Sequence, residues 1–261
     1  MKSNHSIGIL DSGIGGLSVL NEIRKTIPNE SIIYFGDSAW CPYGARGADE
    51  IQRRVFAVTD FLLSKNCKLI VIACNSATIA AVEALRASYP VPFVGMEPGI
   101  KPAAASTRTG TIGILATEAS LAGEKFHRLI NDHGEGVTII TRPCPNFVKL
   151  VEDGDLNSPK ARAIVEEDIL PLIEAKADVL VLGCSHYPFL KPLIQEIAGP
   201  QVTVVDTGVA VAHRVNHFIA GDLNTPQPSC EVYTSGELSH LEKHFPVLCP
   251  NIKASLHHAD I

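Results

Sequence analysis

No C-x-x-C pair occurs in the 261 residues, although seven cysteines do: Cys41, Cys67, Cys74, Cys144, Cys184, Cys230 and Cys249. A zinc knuckle and a thioredoxin-type redox pair are thereby set aside. The odd number and wide spread of these cysteines point to free thiols in a reducing cytoplasm. No apolar run approaches the roughly 20 residues of a membrane span. In the leader "MKSNHSIGILDSG" the apolar stretch stops at Asp11, too early for a signal peptide. The charges form neither a basic stripe nor an acidic tail. With a net charge of −6 and a pI near 5.9, nucleic acid and anionic membranes are not expected as partners. A dinucleotide fingerprint is also incomplete: Gly13 and Gly15 of "DSGIGG" fit its start, but Ser18 stands where the third glycine belongs. No nicotinamide cofactor is expected.

What the chain does have is 46% hydrophobic residues, enough for one large domain or two medium ones. Eight short β-branched runs read as strands: 6–10, 31–36, 68–73, 92–96, 111–115, 136–141, 178–183 and 202–206. Amphipathic stretches at 15–27, 48–66 and 158–176 read as helices between them. Near-continuous apolar strands separated by helices predict parallel sheet covered on both faces, with ligands beyond the carboxyl ends of the strands. "IGILDSG" (7–13) is echoed by "IGILATE" (112–118), and "LIVIACNS" (69–76) by "VLVLGCSH" (179–186). Two echoes in the same order predict an internal duplication. The expected division is a first α/β domain of residues 1–97 plus 208–261 and a second of residues 98–207. "GMEPGIKPA" (95–103) forms the crossover, and "GVAVAHRVNHFIAG" (208–221) returns to the first domain.

Each echoed pair ends in a cysteine followed by polar residues, Cys74 before Asn75 and Ser76, Cys184 before Ser185 and His186. Two thiols on opposite sides of one small substrate suit the removal of a proton from one face of a carbon and its delivery to the other. A free thiol has a pKa of ~8.5, and a helix starting just after the cysteine lowers it. Such helices are expected at Asn75–Ser76 and near Pro188. Asp11 and Ser12 end the first strand, with Thr117 nearly matching them in the second half. "GIGG" (13–16) offers backbone N–H groups for a carboxylate, and "CPYGAR" (41–46) is a tight turn that presents further amides. The bland alternatives are specific. Cys41, Cys67, Cys144, Cys230 and Cys249 default to core positions; Asp11 and Ser12 can serve only as helix caps; Glu152 can be a solvated acid.

The motifs "LDSGIGGLSV", "PYG", "ACNSAT", "GMEPGIKPA", "FVKLVEDG" and "GCSHYP" together resemble the glutamate racemases of the aspartate/glutamate racemase family, from residue 7 to about 210. The resemblance implies two Rossmann-like domains facing each other across a cleft. It also implies a cytoplasmic homodimer that makes D-glutamate for peptidoglycan by two bases, without cofactor or metal. In the family pattern Cys74 takes the α-proton from D-glutamate and Cys184 works on L-glutamate, with Asp11 assisting Cys74 and His186 assisting Cys184. Substrate contacts are carried over to Asp11, Ser12, Tyr43, Gly44, Asn75, Ser76, Thr117, Glu152, Ser185 and His186. The chain departs from the pattern at Ser76 and Ser185, where the family has threonine. Each keeps the hydroxyl and loses a methyl, which relaxes its rotamer. Two rival functions remain at this point: a cysteine hydrolase using Cys184 and His186, which leaves Cys74 idle, and a binding module for small anions.

Overall fold

Runs of isoleucine, valine and leucine bounded by polar turns must be covered on both faces, and the computed structural model places each such run in a parallel strand. It describes residues 5–219 and 227–261. Among these are ten strands: β1 (Ser6–Asp11), β2 (Ile32–Gly36), β3 (Cys67–Ile72), β4 (Phe93–Gly95), β5 (Thr111–Ala116), β6 (Thr138–Pro143), β7 (Val179–Gly183), β8 (Thr203–Val205), β9 (Cys230–Thr234) and β10 (Ser255–His258). Helices Leu17–Thr26, Ala48–Ser64 and Pro159–Glu174 occupy the three stretches whose periodicity predicts them.

The strands form two all-parallel sheets, ordered β10-β9-β2-β1-β3-β4 and β6-β5-β7-β8. With β9 and β10 set aside, the two orders coincide. The registers coincide as well: Gly8 of β1 pairs Ile33 and Ile70, and Gly113 of β5 pairs Ile140 and Leu180. The IGIL echo is therefore a repeat of position and not only of composition. The fold class is the expected one, two similar parallel-sheet α/β units. Strands before residue 96 and after 229 lie in the larger sheet, and those between 111 and 205 in the smaller. Helix Gly208–Ile219 packs on helix Leu17–Thr26. Residues 220–221 of the stretch expected to return there, and residues 1–4 of the expected first domain, lie outside the described residues.

Two strands escape the sequence pattern. β9 carries Glu231 between buried neighbours, and β10, "SLHH", has no fully buried residue because it is the sheet's edge. Among the described residues no helix is long and apolar enough to cross a membrane.

Asp178, just before β7, organises the turn that leads into β5. Its carboxylate accepts hydrogen bonds from the Thr107 and Thr109 hydroxyls and from the amides of Arg108 and Thr109. Burial opposes its charge, but these donors outweigh burial and bring its pKa from 3.8 down to about 2. A depressed carboxylate stabilises the fold above its unfolded pKa, and that contribution is lost as pH falls through the folded value. Asp178→Asn is expected to lower Tm at pH 7, with the gap to wild type closing between 3.8 and about 2. A constant gap down to pH 2 would contradict this.

Candidate active site

The carboxyl ends of the central strands deliver the candidate residues. Asp11 ends β1, Cys74 follows β3 by two residues, Thr117 follows β5 and Cys184 follows β7. Asp11, Ser12, Tyr43, Cys74, Asn75, Ser76, Thr117, Cys184, Ser185 and His186 are all buried, while Gly44 and Glu152 are partly so.

Cys74 is the N-cap of helix Asn75–Ser88, its sulfur accepting the Ala77 amide at 3.5 Å. The Ser12 hydroxyl lies 4.0 Å from the same sulfur. The expected lowering of its pKa is corrected here. Burial dominates and, with the charge of Asp11, raises the thiol; the Ala77 amide opposes this only in part. Charge on Cys184 adds a smaller rise. A second correction concerns Cys184, which is followed by a 3₁₀ turn, Tyr187–Leu190, and only then by helix Lys191–Ala198. Pro188 and Pro192 lack the N–H groups that a regular first turn would present.

Several hydrogen bonds join the two units around these thiols. Ser185 donates its hydroxyl to Asp11 at 2.8 Å, and its carbonyl accepts the Ser18 hydroxyl at 2.8 Å. Ser76 and Thr117 share a hydroxyl contact at 2.9 Å, with Ser120 at 3.3 Å from Ser76. Both serines that replace threonine are thus anchored by their oxygens. Burial raises the pKa of Asp11 against the pull of His186, the Gly13 amide and Ser185. Asn75 reaches the Met96 carbonyl at 3.4 Å through its amide nitrogen, and its buried side-chain oxygen has no hydrogen-bond partner among the described residues.

His186 has Cys184 Sγ at 3.7 Å from Nδ1 and Glu152 Oε1 at 2.7 Å from Nε2. Burial works against an imidazolium there, but contacts with Cys184, Cys41 and Glu152 prevail and hold its pKa well above the ordinary value. Partial burial opposes the charge of Glu152 too, yet His186, His240 and the Ile14 amide keep its pKa far below the carboxylate range. Two glycines permit this arrangement by close approach. A Cβ on Gly15 would sit 2.2 Å from His186 Nδ1, and one on Gly13 would sit 2.1 Å from Glu152 Oε1. The Gly13 and Ile14 amides, expected to hold a substrate carboxylate, instead serve the protein's own Asp11 and Glu152, each at 3.0 Å.

The 41–46 turn includes a 3₁₀ segment, Tyr43–Ala45. The Tyr43 hydroxyl donates to Asp37 at 2.6 Å, and Arg54 clasps the same carboxylate at 2.8 and 2.9 Å. The Tyr43 hydroxyl is thus taken up inside the protein. Gly44 lies against the Thr117 side chain.

Sequence reasoning misses four residues of this neighbourhood. Cys41, assigned to the core by default, is only partly buried and contacts Glu152 at 3.4 Å. Its place beside Pro42 in the recognised turn was the available signal. Asp37, just past β2, follows the strand-end logic that picked out Asp11. Ser120 stands one helical turn beyond Thr117. His240, 3.5 Å from Glu152 Oε2, comes from a segment without any motif. Donor atoms of Cys41, Glu152 and His186 lie within 4.8 Å of one another, the one set of three or more among the described residues that could hold a metal ion.

Two buried thiols thus follow equivalent strands of the two sheets, Cys74 after β3 and Cys184 after β7. The sequence pattern of the Asp/Glu/Hydantoin racemase family matches residues 7–215. The chain belongs to this family. Like its relatives in that family, it is an amino-acid racemase, an isomerase. It is 48% identical to the glutamate racemase of Herpetosiphon aurantiacus, over 91% of this chain and 95% of that one. It is 45% identical to that of Pseudomonas putida, over 93% of each. Among solved structures, the Bacillus anthracis glutamate racemase isoform RacE1 superposes with a TM-score of 0.89 at 31% identity, covering 100% of this chain and 99% of that one. The Escherichia coli glutamate racemase, in complex with L-glutamate and the activator UDP-MurNAc-Ala, gives 0.89 at 29% identity, covering 97% and 98%.

Proposed function

We propose that the protein interconverts L- and D-glutamate without a cofactor, by proton exchange through two thiols. The observation that carries this reading is the placement of Cys74 and Cys184 after equivalent strands of two repeated sheets, both buried. With D-glutamate bound, a Cys74 thiolate takes the α-proton while the Cys184 thiol delivers its own to the opposite face. The products are L-glutamate, a Cys74 thiol and a Cys184 thiolate, and the reverse reaction restores the starting state. Asp11 assists Cys74, and His186 relays protons to and from Cys184, with which it is already in contact. Ser12, Tyr43, Gly44, Asn75, Ser76, Thr117 and Ser185 are assigned to the substrate, with Glu152 behind His186. The unpartnered oxygen of Asn75 suits the substrate's ammonium group.

In the same reading the enzyme is a cytoplasmic homodimer that supplies D-glutamate for peptidoglycan. The seven unpaired cysteines are in keeping with a reducing compartment, and light scattering on the purified protein tests the dimer.

The activity itself is tested by incubating the protein with L-glutamate in D2O with no added cofactor. Deuterium is expected at the α-carbon together with decay of the circular dichroism signal. Release of ammonia would favour a hydrolase built on Cys184 and His186. Exchange with aspartate but not glutamate would overturn the substrate assignment.

A further inference from the structure

We propose that Cys41, Glu152 and His186, with His240 as a fourth donor, form an inhibitory site for a thiophilic divalent cation of the zinc type. Cys41 Sγ and Glu152 Oε1 stand 3.4 Å apart, and His186 Nε2 is 2.7 Å from the same oxygen. A tetrahedral zinc ion with bonds of roughly 2.3 Å to sulfur and 2.0–2.1 Å to nitrogen or oxygen sets its ligand atoms about 3.3–3.6 Å apart. The Cys41–Glu152 spacing already falls in that range. The His186–Glu152 pair must widen by about 0.6 Å, exchanging a hydrogen bond for two metal bonds. His240 Nε2, 3.5 Å from Glu152 Oε2 on the partly exposed face of helix Leu238–Leu248, stands outside this close-set three and must turn inward to add a second nitrogen to the set.

An access route exists. A cavity of about 510 Å³ is lined by Ser38, Cys41, Pro42, Glu152, Glu237 and His240, so a hydrated ion reaches three of the four donors from it, with His186 buried directly behind Glu152. On the far side of the imidazole, Nδ1 faces Cys184 Sγ at 3.7 Å and Ser185 Oγ at 3.4 Å, acceptors that hold the ring of a metal-bound histidine. The metal binds thiolate, neutral imidazole and carboxylate, any protons on Cys41 and His186 Nε2 passing to solvent. The consequence for turnover rests on the reading proposed above: a metal-bound His186 cannot pass protons to Cys184, so the cation inhibits.

The test follows binding separately from activity. Cobalt(II) is titrated into the purified protein, and the near-ultraviolet absorption of a thiolate–cobalt bond is recorded, followed by displacement with zinc. One equivalent per chain is expected. Cys41→Ser is expected to abolish the thiolate band, and His240→Ala to weaken cobalt binding by at least about tenfold. Cys184→Ser is expected to retain the band. Persistence of the band in Cys41→Ser, or its loss in Cys184→Ser alone, would overturn the site. A normal cobalt titration in a protein inactive on glutamate would instead count against the proposed reaction and leave the metal site standing. His240→Ala changes a partly exposed side chain, so it keeps the test interpretable if the Cys41 variant folds poorly.

Discussion

Cys74→Ser and Cys184→Ser are each expected to lower glutamate racemisation by roughly 10³-fold, within the range supplied by a positioned acid or base. A serine hydroxyl at either place keeps the shape of the pocket but neither gives up nor returns a proton at the α-carbon near neutral pH. Inversion needs both faces served, so either loss stops it. Elimination needs only one. From a β-substituted glutamate analogue, elimination is expected to survive for the L enantiomer in Cys74→Ser and for the D enantiomer in Cys184→Ser. Polarimetry and a keto-acid assay read the two reactions separately. The opposite enantiomer pattern would exchange the roles of the thiols, and racemisation near the wild-type rate in either variant would remove the two-base reading.

Glu152→Gln is expected to act through His186. Glu152 lies 2.7 Å from Nε2 and is one of the groups that keep the imidazole charged despite burial. Without that carboxylate the pKa of His186 falls and the ring is neutral at lower pH. The expected result is a kcat about 10²-fold lower at neutral pH, with the alkaline limb of the pH profile moved to lower pH. Stability carries a second signature. The raised pKa of His186 gives stabilisation that is complete below its ordinary value of 6.5 and is lost only as pH climbs through its folded value. The lowered pKa of Glu152 gives stabilisation that is complete above 4.5 and is lost as pH falls through its folded value. The gap in Tm between wild type and variant is therefore widest between 4.5 and 6.5. Removing one partner of a buried pair costs about 3 kcal/mol. An unchanged pH profile together with a gap independent of pH would show that Glu152 does not govern the charge of His186.

The core strands were legible in the sequence because each is buried on both faces and so spells a nearly unbroken apolar word, as "SIGIL" and "DVLVLG" do. β10 was not, because an edge strand with exposed Ser255 and His258 has no burial pattern to betray it. Among the site residues, Cys74 and Cys184 could be found through their duplicated setting. Cys41 offered only its place beside Pro42 and His240 offered nothing, because neither repeats and their contact with Glu152 arises only when distant segments fold together. The cost of burial at Cys74 also lay outside the sequence. The helix that follows this residue suggested an acidified thiol, whereas enclosure in the folded chain dictates the opposite.

The hydrogen bonds that rivet the two sheets to each other run through the proposed site: Ser185 on Asp11, Ser18 on Ser185, Ser76 on Thr117 and Ile14 on Glu152. Anyone randomising these positions to broaden the range of accepted amino acids would loosen the clasp at the same stroke. On the proposed assignment of these residues to the substrate, specificity and breathing are tied together, and a reinforced scaffold should precede any attempt to retune it.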